Sequence, residues 1–245
     1  NDLGTLRNFY SQISMVDDGV GKIVATLDRL GIADDTLLIF TTDHGLSTGE
    51  HGFWGHGAAT LPSNLHRAAH SIPMIMHQPG LTAKGLRTKL MVSGMDVFAT
   101  VLDHAGIQQN DSTVPSRSLL PIISGTDLSN WGADVVFSEQ EETRVIRTPK
   151  WAYFKRFNTL NTVFEDELFD VEHDPGETIN HAGDPTFAQI KQVLDDQLTA
   201  FFDTYAEDHA DLWKGGVPLQ QSTRQKYWSE AWGESWQPVF SYEQN

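Results

Sequence analysis

The feature that most constrains the fold is a long amphipathic helix pattern leading into a short apolar run. From Leu3 to Leu30 apolar residues recur at steps of three and four, and Gly31 follows as a helix stop. Residues 36–41, with the sequence TLLIFT, are almost continuously apolar, which predicts a strand buried on both faces. A helix that leads into such a strand is half of an α/β repeat, so we predict an α/β fold.

Later segments extend this pattern and then change it. Residues 72–76 predict a second strand and residues 95–105 predict a helix. After Trp131, short β-like runs follow one another closely, which predicts a small antiparallel sheet, and a helix pattern covers residues 187–205. The predicted β-like runs are residues 134–137, 143–147, 151–155 and 167–169.

The same change in pattern predicts three parts of the chain. Residues 1–130 are expected to form the α/β part, and residues 131–207 a small α+β subdomain. Residues 208–245 are expected to form an irregular tail, because four of the seven Trp lie there without a clear period.

The charge balance excludes two classes of partner. The 245 residues include 17 Lys and Arg against 33 Asp and Glu, a net charge of −16. Nucleic acid and anionic membranes bind clustered Lys and Arg, so neither is expected as a partner. No apolar run reaches the roughly 18 residues of a membrane span. The chain starts at Asn1 without an initiator Met or a signal-peptide pattern, so we expect it to be part of a longer product.

The stretch most informative about chemistry is residues 41–57, with the sequence TTDHGLSTGEHGFWGHG. Asp43 and His44 follow directly after the first predicted strand, and ligand sites of open α/β sheets lie beyond the carboxyl ends of strands. A carboxylate oxygen and an imidazole nitrogen are ligands that many divalent ions accept. The pattern fits either a metal or acid–base site, or a capped turn.

Residues 41–57 resemble the second metal-binding segment of type I sulfatases, which belong to the alkaline-phosphatase-like superfamily. Other stretches resemble the same family in the same order, over residues from about 8 to 205. These stretches are SMVDD at 14–18, SGMDVFATVLDHAGI at 93–107, SLLPIISG at 118–125 and LFDVEHDPGETIN at 168–180.

The resemblance implies hydrolysis of a sulfate ester on a sulfated small molecule or polysaccharide, a carbohydrate being preferred. It implies the later part of an α/β/α sandwich followed by a small antiparallel sheet with a helix. Asp43 and His44 would be two ligands of a Ca²⁺ ion, although another divalent ion is possible. The remaining ligands and the nucleophile, a formylglycine made from Cys or Ser, would lie upstream of Asn1. The chain contains no Cys, so no catalytic residue is assigned here and the N-terminal half of the protein is expected as a partner.

Four further residues are candidates for substrate binding. The family commonly has Lys at the position of His56, where it holds a sulfate oxygen, so His56 is expected to contact substrate. His51 and Trp54 lie on the same loop, and His77 follows the second predicted strand. The family resemblance favours a periplasmic or extracellular location.

Two other functions remain open at this point. A phosphate or phosphonate ester hydrolase of the same superfamily would share the Asp-His segment. A truncated, non-catalytic homologue would bind a ligand without turnover.

Overall fold

The structure, a computed structural model, describes residues 3–109, 112–126, 131–132, 134–217 and 224–236. The α-helices are α1 (Leu3–Leu30), α2 (Arg67–His70), α3 (Asp96–His104), α4 (Leu120–Ile123), α5 (Ala188–Tyr205) and α6 (Gln225–Trp232). The strands are β1 (Leu38–Phe40), β2 (Ser47–Thr48), β3 (Trp54–Gly55), β4 (Ile75–His77), β5 (Val136–Gln140), β6 (Thr143–Arg147), β7 (Trp151–Arg156) and β8 (Glu167–Asp170). None of the described helices is long and apolar enough to cross a membrane.

Helix α1 confirms the predicted helix with the same bounds. Gly31 ends it with a φ of 67°, a conformation that glycine adopts without a steric penalty. No residue of α1 is buried, and its apolar stripe includes Tyr10 at 61% and Val16 at 54% exposure. The stripe of this helix is therefore open in the described part of the chain.

Strands β1 and β4 pair antiparallel, with Phe40 opposite Ile75 and Leu38 opposite His77. Strand β4 begins at Ile75, three residues after the start predicted from the sequence. The prediction of burial on both faces is wrong, because β1 is only half-buried and Ile75 is 59% exposed. The physical reason is that, within the described residues, these strands pair only with each other.

Strands β5 to β8 form an antiparallel sheet in which each strand pairs with the next, which confirms the predicted sheet. The register places Val145 opposite Phe154 and Ile146 opposite Tyr153. Because side chains alternate along a strand, these two pairs face opposite sides of the sheet. One side packs against α5 and the other packs against Leu65, which is fully buried. Each such side chain contributes about 1.5–3 kcal/mol through burial.

The expected irregular tail contains helix α6, so that expectation is wrong over residues 225–232. Tyr227, Trp228 and Trp232 recur at helical spacing, and the first two are buried against Leu212. Residues 218–223 and 237–245 of the predicted tail lie outside the described residues.

Residues 60–67, here called the anchor segment, are held to the β5–β8 sheet by buried charges. The Glu142 carboxylate accepts the Ser63 N–H at 2.5 Å and the Arg224 guanidinium at 2.6 Å. Arg224 also donates to the Ser63 hydroxyl at 2.7 Å and to the Thr60 carbonyl. Arg156 donates to the Ser63 carbonyl at 2.9 Å. Charged side chains of Glu142, Arg156 and Arg224 therefore fix the position of the anchor segment.

A second group of buried charges holds the other end of the anchor segment. The Nδ1–H of His66 donates to Glu177 at 2.9 Å, and the Arg67 backbone N–H donates to the same carboxylate at 3.1 Å. Arg147 donates to Glu177 and to the Leu65 carbonyl. Burial alone raises the pKa of Glu177, but the hydrogen bond from His66 and the Arg147 charge together lower it to about 2.

We expect Arg224→Ala to lower the free energy of unfolding by about 3–5 kcal/mol, because it leaves the buried Glu142 carboxylate without its cation. Urea denaturation measures this change. The matched control is Lys226→Ala, an exposed residue two positions along, which should change stability by less than about 0.5 kcal/mol. Equal effects of the two substitutions would contradict the role of Arg224.

The pH dependence of stability tests the Glu177 contacts. A carboxyl group whose folded pKa lies below its ordinary 4.5 stabilises the fold above that pH, and the stabilisation is lost as the pH falls toward about 2. Glu177→Gln should therefore cost most near neutral pH, and the difference from wild type should shrink between about pH 4.5 and 2. Urea denaturation over this range measures the difference. The control Glu165→Gln, at an exposed residue, should show a small difference from wild type that is nearly independent of pH. A loss of stability in Glu177→Gln that does not change with pH would refute the assignment.

Candidate metal and substrate site

The turn after β1 presents Asp43 with its carboxylate toward solvent. The Oδ1 atom accepts the Thr42 hydroxyl at 3.1 Å and the His44 backbone N–H at 2.9 Å. These two hydrogen bonds lower the pKa of Asp43. The carboxylate is therefore ionised at neutral pH and its Oδ2 atom is available to a ligand.

The ring of His44 is oriented by the backbone next to it. Its Nδ1–H donates to the Gly45 carbonyl at 2.8 Å, which fixes the tautomer and leaves Nε2 as an acceptor. Nε2 lies 3.6 Å from Asp43 Oδ2, and both side chains are substantially exposed. One carboxylate oxygen and one imidazole nitrogen at this separation fit two ligands of a single divalent cation. Ca²⁺ takes six to eight ligands, so further ligands would have to come from elsewhere.

Close backbone packing fixes the position of this turn. The Gly45 N–H donates to the Ala69 carbonyl at 2.8 Å. A Cβ atom at Gly45 would lie 2.3 Å from the Ala68 carbonyl oxygen, well inside van der Waals contact. Only glycine allows the turn to lie this close to α2, so the position of the Asp43–His44 pair depends on the anchor segment and the short helix that follows it.

Strands β2 and β3 form a small hairpin that brings His56 to the same place. Ser47 pairs with Gly55 across the hairpin, and the Ser47 hydroxyl accepts the Asn64 side-chain amide at 2.8 Å. The ring of His56 stacks on that of His44, with centroids 4.6 Å apart and an angle of 27° between the planes. His56 therefore lies beside the predicted metal ligands. Trp54 lies on β3 and is 42% exposed.

His51 lies in a different environment, at the tip of the hairpin. Its φ of 53° lies in the left-handed region, which is uncommon for a residue other than glycine. Its ring stacks on that of His66 with centroids 3.9 Å apart and planes within 11°. Burial and the neighbouring His66 lower the pKa of His51. The described contacts of His51 are thus with His66 of the anchor segment and with Gly176 and Glu177, rather than with His44.

The structure does not bring His77 to the site. Asp43 follows the carboxyl end of β1, but His77 lies opposite Leu38 at the start of that strand. The pairing is antiparallel, so the carboxyl end of β4 lies at the opposite end of the strand pair from the metal turn. The prediction that His77 contacts the substrate is not supported by this arrangement.

Two groups within the described residues could each place three ligand atoms around an ion. The groups are His51, His66 and Glu177, and Asp170, Glu172 and His173. The parallel stacking in the first group works against metal binding, because the nitrogen lone pairs lie in the ring planes and one ion cannot lie in both. Glu177 is also bound by Arg147.

No pattern in the sequence assigned a role to Glu177 or His66. Glu177 lies in the LFDVEHDPGETIN stretch, which resembles the sulfatase family but does not indicate which residue Glu177 contacts. The two residues are 111 positions apart, and no local pattern marks that pair.

The sequence matches the family model described as Sulfatase over residues 2–107. It is 29% identical over 228 residues to the choline-sulfatase of Rhizobium meliloti, a match that covers 90% of this chain and 40% of that protein. It is 28% identical to arylsulfatase K of Rattus norvegicus, covering 97% of this chain and 43% of that protein. It is 25% identical to the N-acetylglucosamine-6-O-sulfatase of Bacteroides thetaiotaomicron, with 89% and 40% covered. The chain therefore spans about 40% of the length of these curated relatives.

Solved structures share the fold. One is a protein in complex with its substrate D-glucosamine-2-N,6-O-disulfate, with a TM-score of 0.68 and 22% identity over 79% of this chain and 39% of that one. Another is the phosphonate monoester hydrolase of Agrobacterium radiobacter, with a TM-score of 0.69 and 23% identity over 80% of this chain and 41% of that one. At these identities the likeness shows the fold, which is the mixed helix and sheet of the α/β class predicted from the sequence. Taken together, the family-model match, the relatives and the shared fold support a sulfatase of the alkaline-phosphatase-like superfamily, of which this chain is a part.

Proposed function

We propose that this chain contributes part of the metal and substrate site of a sulfuric ester hydrolase. The observation that carries the proposal is the Asp43 Oδ2–His44 Nε2 pair, 3.6 Å apart on a turn inside the region that matches the sulfatase family. Asp43 and His44 supply two ligands of a divalent cation, which we take to be Ca²⁺. The nucleophile and the remaining ligands belong to an N-terminal half of the same protein.

The residues of this chain then have distinct tasks. When bound, the cation stabilises negative charge that develops on the sulfate oxygens. Asp43 and His44 hold the cation, and the His44 ring keeps its orientation through the Gly45 carbonyl. His56, stacked on His44, donates a ring N–H to a sulfate oxygen. Trp54 offers an exposed aromatic surface to the organic part of the substrate.

A sulfated carbohydrate is the substrate class we favour. The relative from Bacteroides thetaiotaomicron is an N-acetylglucosamine-6-O-sulfatase, and one structural neighbour has D-glucosamine-2-N,6-O-disulfate as its substrate. The three parts predicted from the sequence, at residues 1–130, 131–207 and 208–245, remain our proposal for the domain division. A periplasmic or extracellular location follows from the same family likeness.

A phosphonate ester hydrolase is the second candidate, because the phosphonate monoester hydrolase shares the fold as closely as the sugar-sulfate-bound neighbour does. A non-catalytic ligand-binding homologue is the third. Within the described residues, the Asp43–His44 pair fits all three, so the experiments must separate them by turnover.

Calcium binding tests the metal pair directly. We expect the chain to bind Ca²⁺ weakly, with a Kd on the order of 1 mM or above, because it supplies only part of a coordination sphere. Asp43→Ala should weaken this binding about tenfold or more. Isothermal titration with CaCl₂ measures it, and the exposed Asp17→Ala in α1 is the control. If the two variants bind alike, the assignment of Asp43 fails.

Turnover tests the chemistry. We expect the 245-residue chain alone to release no sulfate from 4-nitrophenyl sulfate, because two metal ligands and His56 do not complete a site. In the longer protein to which we assign this chain, sulfate is released and Asp43→Ala lowers kcat/KM about 1,000-fold, a loss of about 4 kcal/mol. Sulfate release by the short chain that depends on Asp43 would contradict the division of the site. Faster hydrolysis of a phenylphosphonate ester would favour the second candidate, and metal binding without any turnover the third.

A further inference from the structure

A cleft of about 440 Å³ opens beside the metal turn. Three separate segments line it: residues 50–51 of the hairpin tip, Arg67, Ala68 and Ser71 at α2, and residues 175–177 after β8. We propose that this cleft is a second substrate subsite, which binds a sulfate or carboxylate group on a sugar residue next to the one being hydrolysed. The proposal rests on the proposed sulfatase function and adds to it a determinant of substrate choice.

The cleft and the metal turn share one wall. Ala68 lines the cleft, and its carbonyl oxygen lies against Gly45, the residue after His44. Ala68 of α2 therefore belongs to the wall of the cleft and also packs against the metal turn. A substrate that extends beyond a single sugar can reach both, and a cavity of this volume is within the range of ligand sites.

The acidic groups of the cleft are already bound by the protein. The Glu50 carboxylate accepts the Thr48 backbone N–H at 2.5 Å. Glu177 accepts from His66, from Arg147 and from the Arg67 backbone N–H. Both carboxylates therefore already accept hydrogen bonds from the protein.

The cationic side chain that lines the cleft is Arg67. Arg67 is exposed, and within the described part of the chain its guanidinium forms no ion pair. This contrasts with Arg144, Arg147 and Arg156, which each bind a carboxylate.

The chemistry of Arg67 defines the ligand. A guanidinium binds the oxygens of sulfate or carboxylate through two parallel hydrogen bonds, and each such contact is charge-assisted. His51 also lines the cleft, and the stacking of its ring on the ring of His66 holds its side chain in position. The exposed Ser71 hydroxyl adds a further donor at the cleft. The cleft thus favours a polyanionic sugar chain over a singly charged ester.

The test is isothermal titration of the chain, in CaCl₂, with heparin-derived disaccharides. One disaccharide carries a second sulfate and a uronate carboxylate, two others lack one of these groups, and glucosamine 6-O-sulfate serves as the single-residue probe. The variants are Arg67→Ala, Arg67→Lys, Asp43→Ala and, as a matched control, Arg87→Ala. Arg87 is also exposed but lines a different cavity, next to β4. Thermal unfolding verifies that each variant folds.

We expect Arg67→Ala to weaken disaccharide binding about tenfold, Arg67→Lys to retain part of the affinity, and Arg87→Ala to have no effect. The monosaccharide should bind Arg67→Ala as it binds wild type. The disaccharide whose missing group abolishes the Arg67 effect identifies the anion as sulfate or carboxylate.

Equal effects of Arg67→Ala and Arg87→Ala would overturn the subsite, as would failure of the wild-type chain to bind any of the disaccharides. If Asp43→Ala weakens disaccharide binding and Arg67→Ala does not, the subsite is refuted and the proposed function stands. If Arg67→Ala weakens disaccharide binding and Asp43→Ala does not, the subsite is supported and the result counts against the metal pair.

Discussion

The structure depends above all on buried charges that hold the anchor segment, residues 60–67, against the β5–β8 sheet. Glu142 and Glu177 are almost fully buried, and each is bound by an arginine and by a backbone N–H of the segment. A buried charge is strongly destabilising unless it is paired and hydrogen-bonded. The buried carboxylates are therefore stabilised only when the anchor segment occupies its observed position, which fixes the position of the segment.

The candidate site takes its position from the anchor segment. The Asn64 side chain donates to Ser47 in the hairpin, the Asn64 N–H donates to the Gly57 carbonyl, and Gly45 donates to Ala69. Through these three contacts the metal turn and the hairpin that carries His56 lie against residues 57–69. A carboxylate far along the chain, Glu177, therefore bears on the placement of Asp43 without touching it.

The same arrangement produces two adjacent places with different chemistry. The metal turn presents an exposed carboxylate and imidazole, which suit a cation. The cleft that Ala68 also lines has its acids hydrogen-bonded within the protein, and Arg67 forms no ion pair with any of the described residues, which suits an anion. A doubly charged sugar can use both.

Much of the fold was predictable because its signals are local. Helix α1 follows from the three- and four-residue spacing of its apolar side chains, and the β5–β8 sheet from closely spaced β-like runs. The position of Asp43 and His44 after a strand indicated a ligand site. The antiparallel pairing of β1 with β4, which moves His77 away from that site, has no local signal. The same is true of the His66–Glu177 contact, whose members meet only after the sheet and the anchor segment have packed. Helix α6 has only eight residues, and its buried aromatic side chains pack against Leu212, which lies outside the helix, so its local pattern was not recognised as a helix.

The central claim is that buried charges on the anchor segment fix the metal turn, and the most direct measurement is amide hydrogen exchange at Gly45. This N–H donates to the carbonyl of Ala69, two residues after the end of the anchor segment. We compare its protection by NMR in the wild-type chain and in Glu142→Gln, at a pH and temperature where both remain folded. The account predicts strong protection in the wild type and a clear loss at Gly45 in the variant, with helix α5 still protected. Unchanged protection at Gly45 would contradict it, because the turn would then hold its position without the buried charge.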